Sequence, residues 1–309
     1  KKTYKIVGKD EADLTKNLEA GDRIIGVGQN DANPVDTVGW RLDDVVDLIR
    51  GAKGSIVRLQ ILPKTEPIGG ISKTIEIVRD TIKLEEQAAS HRVLEMETDL
   101  GRKRIGIIDI PTFYVDFDAQ SRGEKNYRST TRDLRDLLIE LDKSSIDGLI
   151  IDLRGNGGGS LIEAISATGL FINSGPVVQI KTSTGKIDIK KDPDPNILST
   201  HPLVILVDRD SASASEIFAG AIQDYRRGYI VGEATFGKGT VQNMVALDNF
   251  VKNPTNQLGQ LKLTIAQFFR ITGNSTQFRG VIPDFVLPET YYRPNQREWT
   301  NKSAMPWSE

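Results

Sequence analysis

Two short runs of unbroken apolar residues, DGLIIDL (Asp147–Leu153) and PLVILVD (Pro202–Asp208), constrain this chain more than any other feature. A strand with one wet face alternates apolar and polar residues, whereas a strand covered on both faces by helices reads as a continuous apolar run. Strand and helix patterns alternate around the two: IGIIDIPTFY, a helix through STTRDLRDLLIELDKSS, the first run, a helix from SLIEAISATGLFI, the second run, a helix from SASEIFAGAIQDY, and the strand GYIVGE. That order predicts right-handed crossover units and a mostly parallel sheet with helices on both faces. KKDPDPN (Lys190–Asn196) reads as a polar loop broken by proline.

Upstream of this pattern the chain is richer in strands: YKIVG, GDRIIGVGQ, IVRLQIL and TIEIVRD surround one helix, RLDDVVDLIRG. Leu42, Val45, Val46 and Ile49 recur at i, i+3, i+4 and i+7, so they share a helix face that either packs on the sheet or lines a groove. The module resembles a PDZ domain, with GDRIIGV (Gly21–Val27) ahead of the groove helix and GAKGSIVRL (Gly51–Leu59) after it. The resemblance implies that Leu42, Val45, Val46 and Ile49 bind a peptide whose C-terminal end adds as a strand. The loop that would receive its carboxylate falls before Tyr4, so the PDZ-like domain is expected to be incomplete at its N-terminal side. PKTEPIGGIS (Pro63–Ser72) reads as a hairpin loop, and the boundary is expected near residue 85.

Composition narrows the function. Forty basic and 42 acidic residues give a net charge of −2, which argues against a nucleic-acid partner. No apolar run approaches the ~18 residues of a membrane span. With no cysteine, thiol nucleophiles, disulfides and Cys-ligated zinc drop out, and no metal or other cofactor is expected. The opening KKTYKIVGKDEAD has the basic start of a signal peptide without its apolar stretch, and TNKSAMPWSE closes without a stop signal. The chain is therefore expected to be a piece of a longer one.

In open parallel sheets the working groups gather where strands end and helices begin. IDLRGNGGGS (Ile151–Ser160) is one such junction, and its glycines can present N–H groups to an oxyanion, although a purely structural turn is the competing reading. LVDRDSASASEIFAG is the second, where Ser211, Ser213 and Ser215 each suit helix capping as well as chemistry. GEATFGKGTVQ (Gly232–Gln242) follows the next strand and carries Lys238 between glycines. A serine hydroxyl needs a neighbouring base. His91 and His201, the two histidines, are badly placed for that task, whereas a desolvated lysine can serve once its amine is neutral.

SASASEIFAGAIQDY, GEATFGKGTVQ, IDLRGNGGGS and FRGVIPDFVLP (Phe278–Pro288) together resemble, in order, the signatures of the carboxy-terminal processing peptidases, most closely their Gram-negative periplasmic tail-specific branch. The resemblance implies an α/β fold: a crotonase/ClpP-like protease core with a parallel-rich sheet at 86–290, after a partial β-rich PDZ domain at 1–85 and before a C-terminal extension from 291. It implies Ser213 as nucleophile and Lys238, 25 residues on, as base, with Gln242 orienting the amine and Ala214 and Gly158 supplying oxyanion N–H groups. Asp224 matches an aspartate implicated in activity, and is read here as supporting structure because a carboxylate beside the amine would raise its pKa. Ala234 stands where many relatives have lysine. The implied substrates are proteins with apolar C-termini, met in the periplasm with the help of a helical-repeat adaptor lipoprotein. Two alternatives remain: a PDZ scaffold with a silent protease body, and a crotonase-like acyl-thioester enzyme, against which Lys238 and the PDZ-like module both argue.

Overall fold

The computed structural model describes residues 18–19, 21–40, 42–80, 88–99, 101–250, 258–288 and 297–309. The expected strand YKIVG, the boundary near residue 85 and the start of an extension at 291 lie outside the described residues. The chain divides into two compact units, Lys1–Glu86 and Gln87–Glu309.

The first unit contains β1 (Arg23–Gln29), β2 (Val35–Asp36), α1 (Leu42–Ile49), β3 (Ile56–Leu62) and β4 (Lys73–Val78), with the strands in the order β2-β1-β3-β4. All three pairings are antiparallel, and 63–72 is the hairpin loop between β3 and β4. Val27, Val57, Leu59, Ile61, Ile75 and Ile77 form its core, on which Val45, Leu48 and Ile49 of α1 pack. Of the residues expected to hold a peptide, Val45 and Ile49 thus serve the core. Val46 is half-buried outside that cluster.

The second unit runs β5 (Ser90–Thr98), β6 (Gly101–Asp109), α2 (Phe117–Ser121), α3 (Thr130–Lys143), β7 (Gly148–Asp152), α4 (Leu161–Gly169), β8 (Gly175–Thr182), β9 (Ile187–Asp192), β10 (Leu203–Val207), α5 (Ala214–Asp224), β11 (Tyr229–Gly232), β12 (Thr240–Ala246), β13 (Gln260–Phe269) and β14 (Phe285–Val286). Its main sheet has the order β14-β11-β10-β7-β6-β5, parallel throughout except for β5. A second, antiparallel sheet has the order β12-β13-β8-β9. KKDPDPN is therefore not all loop: Lys190, Lys191 and Asp192 close β9. That strand lies at a sheet edge, where lysines discourage pairing with another chain.

Leu149, Ile151, Leu203, Ile205 and Val207 are buried in β7 and β10, whereas Ile150, Val204 and Leu206, on the other face, are only half-buried, so the expected cover is complete on one face alone. Phe218 fastens α5 to this core, its ring 6.0 Å from Phe113 and 5.9 Å from Phe171, the latter edge-on. A fully buried phenylalanine contributes roughly 1.5–3 kcal/mol, so α5 is held firmly at its middle while its first turn faces the strand ends. Among the described residues no helix is long and apolar enough to cross a membrane.

Candidate active site

The three glycine- or serine-rich junctions meet at the C-terminal edge of the parallel sheet, because β7, β10 and β11 all run in one direction and each leads into one of them. Ser213 is the N-cap of α5, with φ 57° and ψ −111°. A non-glycine residue at positive φ is strained, and such strain persists where the surroundings over-determine it. The neighbours supply that determination. Ser211 Oγ donates to the Leu153 carbonyl (2.9 Å), while Ser215 Oγ and Ala212 N–H both donate to the Asn156 carbonyl (2.9 and 3.0 Å). Both flanking serines are fully buried and spent on the glycine loop, leaving half-buried Ser213 as the one of the three that faces outward.

Gly158 sits directly against this turn. Any side chain there would put its Cβ 2.9 Å from Ser213 Cβ and 2.8 Å from the Ala212 carbonyl oxygen, and φ is +105°, so only glycine fits. The loop thus lies beside the nucleophile candidate as expected. Gly158 N–H, however, donates to Asn156 Oδ1 at 2.9 Å. Ala214 N–H, one of the unpaired donors of a helix's first turn, has no acceptor among the described residues, and the same holds for Gly157 and Gly159 N–H.

Sequence reasoning missed the residue that ties the site together. Glu216, fully buried, accepts four hydrogen bonds: Oε2 from Ser213 N–H (2.7 Å) and Lys238 N–H (3.0 Å), Oε1 from Thr235 Oγ1 (2.6 Å) and Gly237 N–H (2.8 Å). One carboxylate therefore fixes the backbone of Ser213 to that of Lys238. The signal was a serine followed three residues later by glutamate at a helix start, which announces a capping box; its second bond to the lysine loop has no local trace. Burial pushes the Glu216 carboxyl up to about 7, outweighing the four donors that favour its charge.

Lys238 lies in the loop between β11 and β12, half-buried. Burial, helped by the positive charge of Lys262, pushes its amine below the ordinary lysine range, while Glu298 and Glu216 pull it back. Val241, three residues on, packs against the main core. Gln242 is exposed on β12 and makes no hydrogen bond to Lys238 among the described residues. Asp224 is at the far end of α5 from Ser213, about 16 Å along the helix by its rise per residue. It pairs with Arg270, whose Nε lies 3.1 Å from both carboxylate oxygens. The histidines pair elsewhere, His91 with Glu140 (3.6 Å) and His201 with Asp142 (3.3 Å), both on α3. A cavity of about 840 Å³ opens at the opposite edge, at the starts of β7 and β10 (Gly148 and Leu203) beside Ile105 of β6, and neither Ser213 nor Lys238 lines it. Among the described residues no cluster of three or more His, Cys, Asp or Glu could hold a metal.

Comparison with known proteins addresses the fold and the family. Residues 5–62 match the model of the PDZ domain. The chain is 43% identical to the tail-specific protease of Haemophilus influenzae over 96% of its own length and 40% of the relative's. It is 31% identical to the carboxy-terminal processing protease CtpA of Bacillus subtilis, covering 86% of this chain and 49% of that one. It thus spans about half, or less, of these relatives. Among solved structures, the photosystem II D1 C-terminal processing protease superposes with a TM-score of 0.57 at 28% identity, over 88% of this chain and 64% of that one. Residues 104–287, the segment that builds the parallel sheet and its three junctions, match the model of peptidase family S41, and the chain belongs to that family.

Proposed function

We propose that this chain carries the cleavage centre of a serine endopeptidase in which Ser213 is the nucleophile and Lys238 its base. The observation that carries the reading is the shared buried carboxylate of Glu216, bonded at once to Ser213 N–H and Lys238 N–H, with the lysine amine desolvated. A neutral Lys238 amine takes the hydroxyl proton as Ser213 Oγ bonds to the peptide carbonyl carbon. The resulting ammonium returns that proton to the leaving nitrogen as the C–N bond breaks. Water then repeats the sequence on the ester, its proton passing to Lys238 and on to Ser213 Oγ. Ala214 N–H, with a free N–H of the glycine loop, would hold the oxyanion. Gly158 can serve only after leaving Asn156, which favours a neighbouring glycine.

The names of the relatives support substrates chosen by their C-terminal ends, and the PDZ-type unit is the part of this chain suited to holding such ends. Apolar tails, a periplasmic location and a helical-repeat adaptor lipoprotein complete the proposal on the strength of the sequence resemblance. The test is cleavage of an apolar-tailed peptide by Ser213→Ala and Lys238→Ala, each expected to lose ~10³-fold or more while melting normally. Wild-type activity should climb with pH and stay high in the alkaline range, because only the neutral amine is a base. A rate already flat from pH 6.5, or a Lys238→Ala protein that still cleaves, would overturn the lysine mechanism.

A further inference from the structure

Residues 297–309 follow the family-matched segment and return to the lysine loop. Glu298 opens a short 3-10 turn, and its N–H donates to the Phe236 carbonyl at 3.1 Å, two residues before Lys238. Its carboxylate accepts from Gln277 Nε2 at 3.1 Å. Gln277 is itself fully buried: its Oε1 takes Gly239 N–H at 2.8 Å, one residue after Lys238, and its Nε2 also donates to the Met305 carbonyl at 3.1 Å. Glu298 is therefore linked to the chain on both sides of Lys238. Farther along, Trp307 Nε1 donates to the Ser275 carbonyl (3.0 Å), Ser275 N–H donates to the Ser308 carbonyl (3.1 Å), and the Arg279 guanidinium stacks 3.8 Å from the Trp307 ring centre. These contacts pin the segment as a strap. A surface carboxylate on a loose tail would be screened and of little consequence; one fastened at both ends of the lysine loop is not.

We propose that Glu298 is a positioning residue for Lys238: seated by the 297–309 strap, its carboxylate is the counter-charge that opposes release of the amine's proton. The inference rests on Lys238 being the base. Three charged groups act on the amine, each from a different element: Lys262 of β13, Glu216 of α5 and Glu298 of the strap. Glu216 is fully buried and committed to four donors, whereas Glu298 is half-buried, with one of its oxygens bonded to a neutral amide. The strap carboxylate is thus the adjustable partner. Its presence favours the protonated amine, and its removal should free the amine at lower pH.

The experiment uses protein labelled with ε-¹³C lysine in the Ser213→Ala background, where no turnover intervenes, with the Lys238 signal assigned by Lys238→Arg. Glu298→Gln keeps an oxygen for Gln277 and removes only the charge. The Lys238 titration midpoint is expected to fall by about half a unit or more, with Glu298→Asp staying near the parent. In the active protein the pH–rate profile of Glu298→Gln should move acidward by a similar amount with its alkaline plateau changed less than about twofold. Superimposable Lys238 titrations of the parent and the Glu298→Gln protein would overturn the proposal, whatever the peptidase assay shows. Retained cleavage by Lys238→Ala would instead remove the base assignment, and the labelled titration would still decide whether Glu298 governs the amine.

Discussion

Helix α5 carries a buried carboxylate near each end, and the two are satisfied in opposite ways. Glu216, in the first turn, receives four neutral donors and no cation. Asp224, in the last turn, is clasped by the Arg270 guanidinium, which also bonds Gln223 Oε1 at 2.9 Å. The helix dipole explains part of the contrast, since it favours negative charge at the N-terminus and opposes it at the C-terminus, where a buried aspartate needs a full positive charge. The neutral donors also tie the Ser213 and Lys238 backbones together without placing a further charge between them. The N-terminal end is thus held by dipoles, and the far end by an ion pair joining α5 to the end of β13.

The sharpest way to break the comparison is to cut the ion pair. Asp224→Ala leaves the guanidinium of Arg270 without its carboxylate in a largely buried place, and should cost about 3–5 kcal/mol, read as a lower thermal midpoint. Replacing both partners with apolar residues of similar volume should recover much of that. Lost cleavage with an unchanged melting curve would instead return Asp224 to the chemistry, and the two ends of α5 would no longer differ in kind.

Glu216→Gln probes the other end and should cost less stability, roughly 1–3 kcal/mol, since the amide keeps one acceptor oxygen while its NH₂ must face a backbone N–H such as that of Gly237. Activity should fall by ~10-fold or more, because an NH₂ facing the Gly237 N–H pushes the lysine loop away from the place the carboxylate gives it. The pH dependence of stability tests this site directly. With its folded carboxyl pushed up from 4.5 to about 7, Glu216 contributes stability that is complete below pH 4.5 and lost as pH rises through about 7. The stability advantage of wild type over Glu216→Gln should therefore shrink across that window in melts from pH 4 to 9. A constant difference would mean that the carboxyl titrates normally.

The same contrast marks how much the sequence could disclose. β7 and β10 are legible because one face is buried and the other, at Ile150, Val204 and Leu206, is half-buried, so apolar residues stand on both. β13 is not: Leu261, Leu263 and Ile265 are exposed while Ala266, Phe268 and Phe269 are buried, so burial follows neighbouring elements and not local alternation. Ser213 and Lys238 are legible as motif residues. The hub role of Glu216 requires a bond to residues about twenty positions away, and the partner of Asp224 lies 46 residues on. Nor could a run of glycines reveal that Gly158 N–H is already spent on Asn156.

The smallest expected effect belongs to Ser215, and its size bears on which serine matters. Ser215 is fully buried and two residues from Ser213, so by position alone it competes for the role of nucleophile. Its hydroxyl, however, donates to the Asn156 carbonyl at 2.9 Å, and that carbonyl also accepts Ala212 N–H at 3.0 Å. Ser215→Ala therefore removes one bond without orphaning its acceptor, and alanine suits a helix interior at least as well as serine. The cost should be about 0.5–1.5 kcal/mol, with cleavage kept within a few-fold of wild type. A Ser215→Ala protein that folds but loses cleavage as completely as Ser213→Ala would show that the glycine-loop tether, and not only the strained N-cap, is part of the reacting geometry at this end of α5.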